Sequence, residues 1–92
     1  MENYKELLLL SVSKQGMNME IHEIPFNVVL DGGVIIPYCF WTYERDDILE
    51  VMASDVQGYG EIKIIQKKNI LYISLCYEDD EEEQQTIDVM YN

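Results

Sequence analysis

The chain has little of the material from which common active sites are built. Its 92 residues include one histidine, two cysteines, two prolines and six basic side chains. His22, together with Cys39 and Cys76 far apart in the chain, does not supply the close ligand pairs of a zinc site. Two cysteines are also too few for a disulfide framework. Both lie in apolar, strand-like stretches, so both are expected to be reduced and buried. No apolar run approaches the roughly 20 residues of a membrane span. The short Leu7–Leu10 run follows acids rather than the basic stretch of a signal peptide. A soluble protein of the cytoplasm, without membrane contact, is expected.

Acid is what the chain has in excess: 18 carboxylates against six basic residues give a net charge of −12. That sign is wrong for gripping a phosphate backbone, so direct nucleic-acid binding is not expected. Six of the carboxylates are consecutive, from Glu78 to Glu83, and the 12 outside this run still double the basic residues. With 48% hydrophobic residues, the length suffices for one core and not two. Residues 1–92 are therefore expected to form a single compact acidic domain.

Residues 3–15 read as a helix. Asn3 can cap it, Tyr4, Leu7, Leu8 and Val12 recur at helical spacing, and Gly16 can end it. From Met17 the rhythm turns to period two, with Met17, Met19 and Ile21 opposite Asn18, Glu20 and His22, as in a half-exposed strand closed by Pro25. "FNVVL" and "VIIPYCFW" then flank Asp31-Gly32-Gly33, the strongest hairpin signal in the chain. Pro37 cannot donate a ladder hydrogen bond, which predicts an edge position or a bulge there. Beyond it, Trp41 and Tyr43 are expected on the face opposite Phe40.

"DDILEVMASDVQ" reads as a second helix, with Asp46 or Asp47 at its N-terminus, Ile48, Leu49, Met52 and Val56 on its apolar side, and Gly58 as its end. "EIKII" and "ILYISLCY" read as strands joined by a Lys67-Lys68-Asn69 turn. Ile62 and Ile64 in the first, and Leu71, Ile73, Leu75 and Tyr77 in the second, are expected to face inward. The acidic run is expected to form a solvated loop before a last strand, "QTIDVMY". The order is αβββαβββ: an α+β domain, its mostly antiparallel sheet carrying two helices on one face.

No catalytic residue, metal ligand or cofactor site is assigned. His22 sits on a polar strand face, and no local signature surrounds either cysteine. The acidic run lacks the alternating acid–Asn–Gly pattern of an EF-hand loop. Asp31-Gly32-Gly33 lacks the following Lys-Ser/Thr of a phosphate-binding loop. Interaction is what remains: seven tyrosines, one tryptophan and the aromatic–acidic junction "FWTYERDD" combine binding anchors with charge that steers toward a basic protein. The candidate partner-binding residues are Trp41, Tyr43, Glu44, Asp46 and Asp47, with Asp79, Asp80, Glu81, Glu82 and Glu83 adding longer-range steering. In size, charge and fold class the chain resembles the small acidic inhibitors that phages deploy against nucleic-acid enzymes such as CRISPR effectors, restriction enzymes and repair glycosylases. That resemblance implies a protein that blocks a basic groove. An immunity or antitoxin protein capping a basic toxin is the alternative, and a small Cys/His enzyme a lesser one.

Overall fold

A computed structural model describes residues 3–54 and 57–76. Helix α1 spans Tyr4–Lys14, and the Asn3 side chain caps it by accepting from the Glu6 amide at 3.1 Å. Gly16, at φ 78°, lets the chain turn back so that the Met17 amide donates to the Val12 carbonyl. Tyr4, Leu8 and Val12, four residues apart, form the buried face of the helix.

Five strands follow: β1 Phe26–Leu30, β2 Ile35–Glu44, β3 Ile48–Ser54, β4 Gly60–Gln66 and β5 Ile70–Leu75. They form one antiparallel sheet in the order β4-β3-β2-β1-β5. The chain is thus a compact α+β domain in which the described residues form one helix and short 3-10 turns rather than the expected two helices. Its radius of gyration is 13.2 Å, close to the ~12 Å expected for this length.

The sheet is strongly curled. Strands β4 and β5 stand at opposite ends of the order, yet only the turn Lys67–Asn69 joins them. Four residue steps reach at most about 14 Å, whereas the outer strands of a flat five-stranded sheet would be about 19 Å apart. The ends must therefore bend toward each other around a common core. The ten-residue β2 makes the corner: residues up to Cys39 pair with β1, and those from Phe40 onward pair with β3. Phe26 faces Cys39 while Val28 faces Ile36, so Pro37 and Tyr38 together oppose Asn27. This is the bulge that Pro37 predicts. Tyr38 adopts φ 53°, and its amide donates to the Asn27 side-chain oxygen at 3.0 Å.

Three expectations need correction. Met17–His22 is not a strand. Both sides of β1 are taken by β2 and β5, and the chain closes instead into a 3-10 turn at Ile21–Glu23, where the Glu20 amide donates to the Glu23 carboxylate at 3.1 Å. Within "DDILEVMASDVQ" the described residues form no helix, and Ile48–Ser54 is β3. Its Leu49, Val51 and Ala53 are buried at period two between β2 and β4, and pairing on both sides outweighs the local helical signal. In β4 the inward residue is Ile65, held opposite Leu49, while Ile62 and Ile64 face outward. Leu71 is also exposed, because a bulge in β5 gives its inward place to Ile70; Ile73 and Leu75 pack against the core as expected. The acidic run, Tyr77 and the expected last strand lie outside the described residues.

Candidate partner-binding surface

The aromatic–acidic junction straddles a second bulge. Trp41 faces Val51 and Tyr43 faces Glu50, leaving Thr42 as the extra residue. Its hydroxyl donates to the Glu50 carbonyl at 2.9 Å and lies 3.1 Å from the Glu50 carboxylate. One inserted residue reverses the alternation, so Trp41 and Tyr43 point to opposite faces rather than sharing one. Trp41 packs at the margin of the core; Tyr43 is exposed.

Glu44, brought inward by the same bulge, is the centre of a buried polar network. Its Oε2 lies 2.8 Å from the Lys67 ammonium, in side chains only 7% and 4% exposed. The same oxygen accepts from the Tyr4 amide at 2.7 Å, and Oε1 accepts from the Lys5 amide and the Trp41 indole, each at 3.0 Å. The carboxylate thus sits at the positive end of α1 and receives two of the amides that a helix start leaves without internal partners. Burial pushes its pKa up, but Lys67, Trp41 and the two amides outweigh that and hold it below its ordinary value. Lys67 also lies 5.7 Å from the Tyr4 ring centre, and Lys5 lies 5.2 Å from that of Trp41. Glu44 therefore ties α1, β2 and the β4–β5 turn together, and it is not on offer to a partner.

Asp46 and Asp47 form the tip of the β2–β3 hairpin, closed by the Arg45 amide donating to the Ile48 carbonyl at 3.0 Å. They are exposed at a hairpin, not at a helix start. Asp47 is 3.8 Å from Arg45 through its carboxylate, and its carbonyl accepts from the Lys67 amide. A polar cleft of about 350 Å³ lies beside this tip, lined by Lys5, Trp41, Glu44, Arg45 and Asp46 among others. Of the candidate residues, Tyr43, Asp46 and Asp47 are thus exposed at one end of the β2–β3 hairpin, Trp41 and Glu44 belong to the scaffold, and Asp79–Glu83 lie outside the described residues.

Comparison with protein-family models, with curated proteins and with solved structures found no match. The candidate chemistry therefore stands on geometry. Among the described residues no three His, Cys, Asp or Glu side chains converge as a metal site, and no helix is long and apolar enough to cross a membrane. His22 lies 3.3 Å from Glu20 on an exposed turn. Neither cysteine is in a disulfide. The Cys39 thiol is buried and directed at the Ile36 carbonyl at 3.3 Å; burial, followed by proximity to Cys76, pushes its pKa up to about 11. It therefore stays protonated at neutral pH, the wrong state for a nucleophile.

Sequence reasoning missed Lys67, assigned there only to a turn, and the outward row formed by Tyr43, Glu50 and Ile64. For that row a signal was present: "ILEVMAS" alternates Leu49, Val51 and Ala53 with Glu50, Met52 and Ser54 as readily as it fits a helix.

Proposed function

We propose that this chain is a small acidic inhibitor that binds a nucleic-acid-processing enzyme and blocks its basic groove. The reading rests on the charge of −12 and on its concentration in the sequence. The described residues hold nine of the 18 carboxylates together with all six basic residues, so most of the net charge belongs to the remainder, chiefly Glu78–Glu83. Six adjacent carboxylates concentrate negative charge in one short stretch of sequence, the sign that a groove lined with Lys and Arg is built to receive. Tyr43, Asp46 and Asp47 on the β2–β3 hairpin add an aromatic contact and two more acids on a folded support.

Such a complex weakens steeply with salt and competes with the enzyme's own substrate. The test is to isolate the partner from the native host, identify it, and measure affinity from 50 to 500 mM salt with and without DNA or RNA. A basic nucleic-acid enzyme, a falling affinity and displacement by nucleic acid are the expected results. A toxin domain encoded beside this chain would assign an immunity role instead. Salt-insensitive binding to a non-basic partner would end the groove-blocking reading.

A further inference from the structure

The outer face of β2–β3–β4 is apolar where an antiparallel sheet open to water is ordinarily polar. Across the three strands the register sets Phe40, Met52 and Ile62 in one row and Tyr43, Glu50 and Ile64 in the next. Tyr43 is 47% exposed, Met52 36%, Ile62 48% and Ile64 62%. Met52 lies across bare backbone at Gly60, where a Cβ would come within 2.8 Å of its sulfur, and this keeps the face low and adaptable. No basic residue occupies a register position on this face, and Glu50 is the one charge within the two rows.

From this arrangement we propose that the face is a docking surface for an arginine of a basic protein partner, with Glu50 as the receptor carboxylate. Charge complementarity selects the occupant. A carboxylate flanked by Tyr43, Met52, Ile62 and Ile64 has apolar neighbours that exclude water once a partner settles, and in that setting a charge-assisted bond gains strength. Arginine fits better than lysine. Its planar fork can meet both carboxylate oxygens while its flat face lies on the Tyr43 ring, and its stem covers Ile62 and Ile64. The β2–β3 tip, where Asp46 and Asp47 outnumber Arg45, is net acidic at one end of the face. The inference rests on the partner being basic, as in the proposed function, and adds where and by which side chain it is held.

The experiment uses the full chain labelled with ¹⁵N and three synthetic 12-residue peptides of alternating valine and polar residues. They carry a central arginine, lysine or citrulline and are otherwise identical. Arginine should shift the amide signals of Tyr43, Glu50, Ile62 and Ile64; lysine should bind several-fold more weakly and citrulline at least tenfold more weakly. Glu50→Gln, whose amide oxygen can still accept from Thr42, should fold normally and bind the arginine peptide at least tenfold more weakly. Ile64→Ser should lose a comparable factor. Equal binding by Glu50→Gln, shifts confined to other surfaces, or concentration-dependent burial of this face by a second copy in sedimentation would each overturn the assignment.

A parallel variant with Asp79–Glu83 replaced by Gly/Ser separates this proposal from the broader one. If it loses the native partner while Glu50→Gln retains it, groove blocking stands and the Glu50 site falls. If the arginine peptide binds as described but nucleic acid never competes with the native partner, the site stands and groove blocking falls.

Discussion

Glu44→Gln is the most informative single change in this fold. It keeps the side chain's size while removing the anion 2.8 Å from Lys67, whose side chain is 4% exposed. Removing one partner of a buried ion pair costs about 3–5 kcal/mol, because the remaining charge stays desolvated. The glutamine oxygen can serve some of the three N–H donors now held by the carboxylate, so a further lost hydrogen bond adds about 1 kcal/mol. A loss of about 4 kcal/mol is therefore expected, against a total stability of roughly 5–14 kcal/mol for a chain of this length. Urea denaturation followed by Trp41 fluorescence measures it: with a slope of about 1.5 kcal/mol/M the midpoint falls by roughly 2.5–3 M. Adding Lys67→Met should recover much of the loss, since replacing both partners by groups of similar volume is often near neutral. The pH profile follows the same logic. A carboxyl held below its ordinary pKa contributes stability that is present above about pH 4.3, its unfolded value, and lost as pH falls through the folded value. Glu44→Gln should flatten that acid limb. A loss under about 1 kcal/mol, or a double variant no better than the single one, would refute the claim that this pair fastens α1 to the sheet.

Trp41→Phe removes the indole donor to Glu44 and keeps an aromatic ring, so a loss of about 1.5–3 kcal/mol is expected in the same assay. Trp41→Ala should cost about 3 kcal/mol, with affinity for a basic partner unchanged, because this side chain packs against the core. Intact mass after alkylation in denaturant should show two modified thiols. Without denaturant Cys76, which is only half-buried, should react well before Cys39, and equal rates would contradict the packing of Cys39.

Local signals placed α1 and the β1–β2 turn, the period-two rhythm of Met17–His22 misled, and long-range pairing decided the rest. Asn3 and Gly16 bound α1 where expected because a cap and a left-handed stop act within one turn. Gly32 and Gly33, at φ 83° and 86°, mark the β1–β2 turn for the same reason. Asp46 and Asp47 mislead, since two acids before an apolar stretch suit a helix start as well as a hairpin tip; only the flanking β2 and β4 settle the matter. "IKII" is apolar in both phases of a strand, so its inward face is set by Leu49 opposite Ile65, which no local pattern reveals. Of the candidate site, exposed Tyr43, Asp46 and Asp47 were legible. The burial of Glu44 was not, because its partners Lys67, Tyr4 and Lys5 are remote in sequence.

The corner in β2 has a kinetic consequence. Strands β1 to β4 pair with sequence neighbours, whereas β5 must return to β1, joining Phe26 to Leu75 across most of the described chain. Loop closure over such a distance comes late in folding. Lys67 directly follows β4 and its amide bonds the Asp47 carbonyl, so its bond to Glu44 belongs to the local β2–β3–β4 meander and precedes that closure. Loss of the pair should then slow folding as well as speed unfolding, whereas weakening the β1–β5 ladder should fall mainly on the unfolding rate and set how long the folded chain lasts.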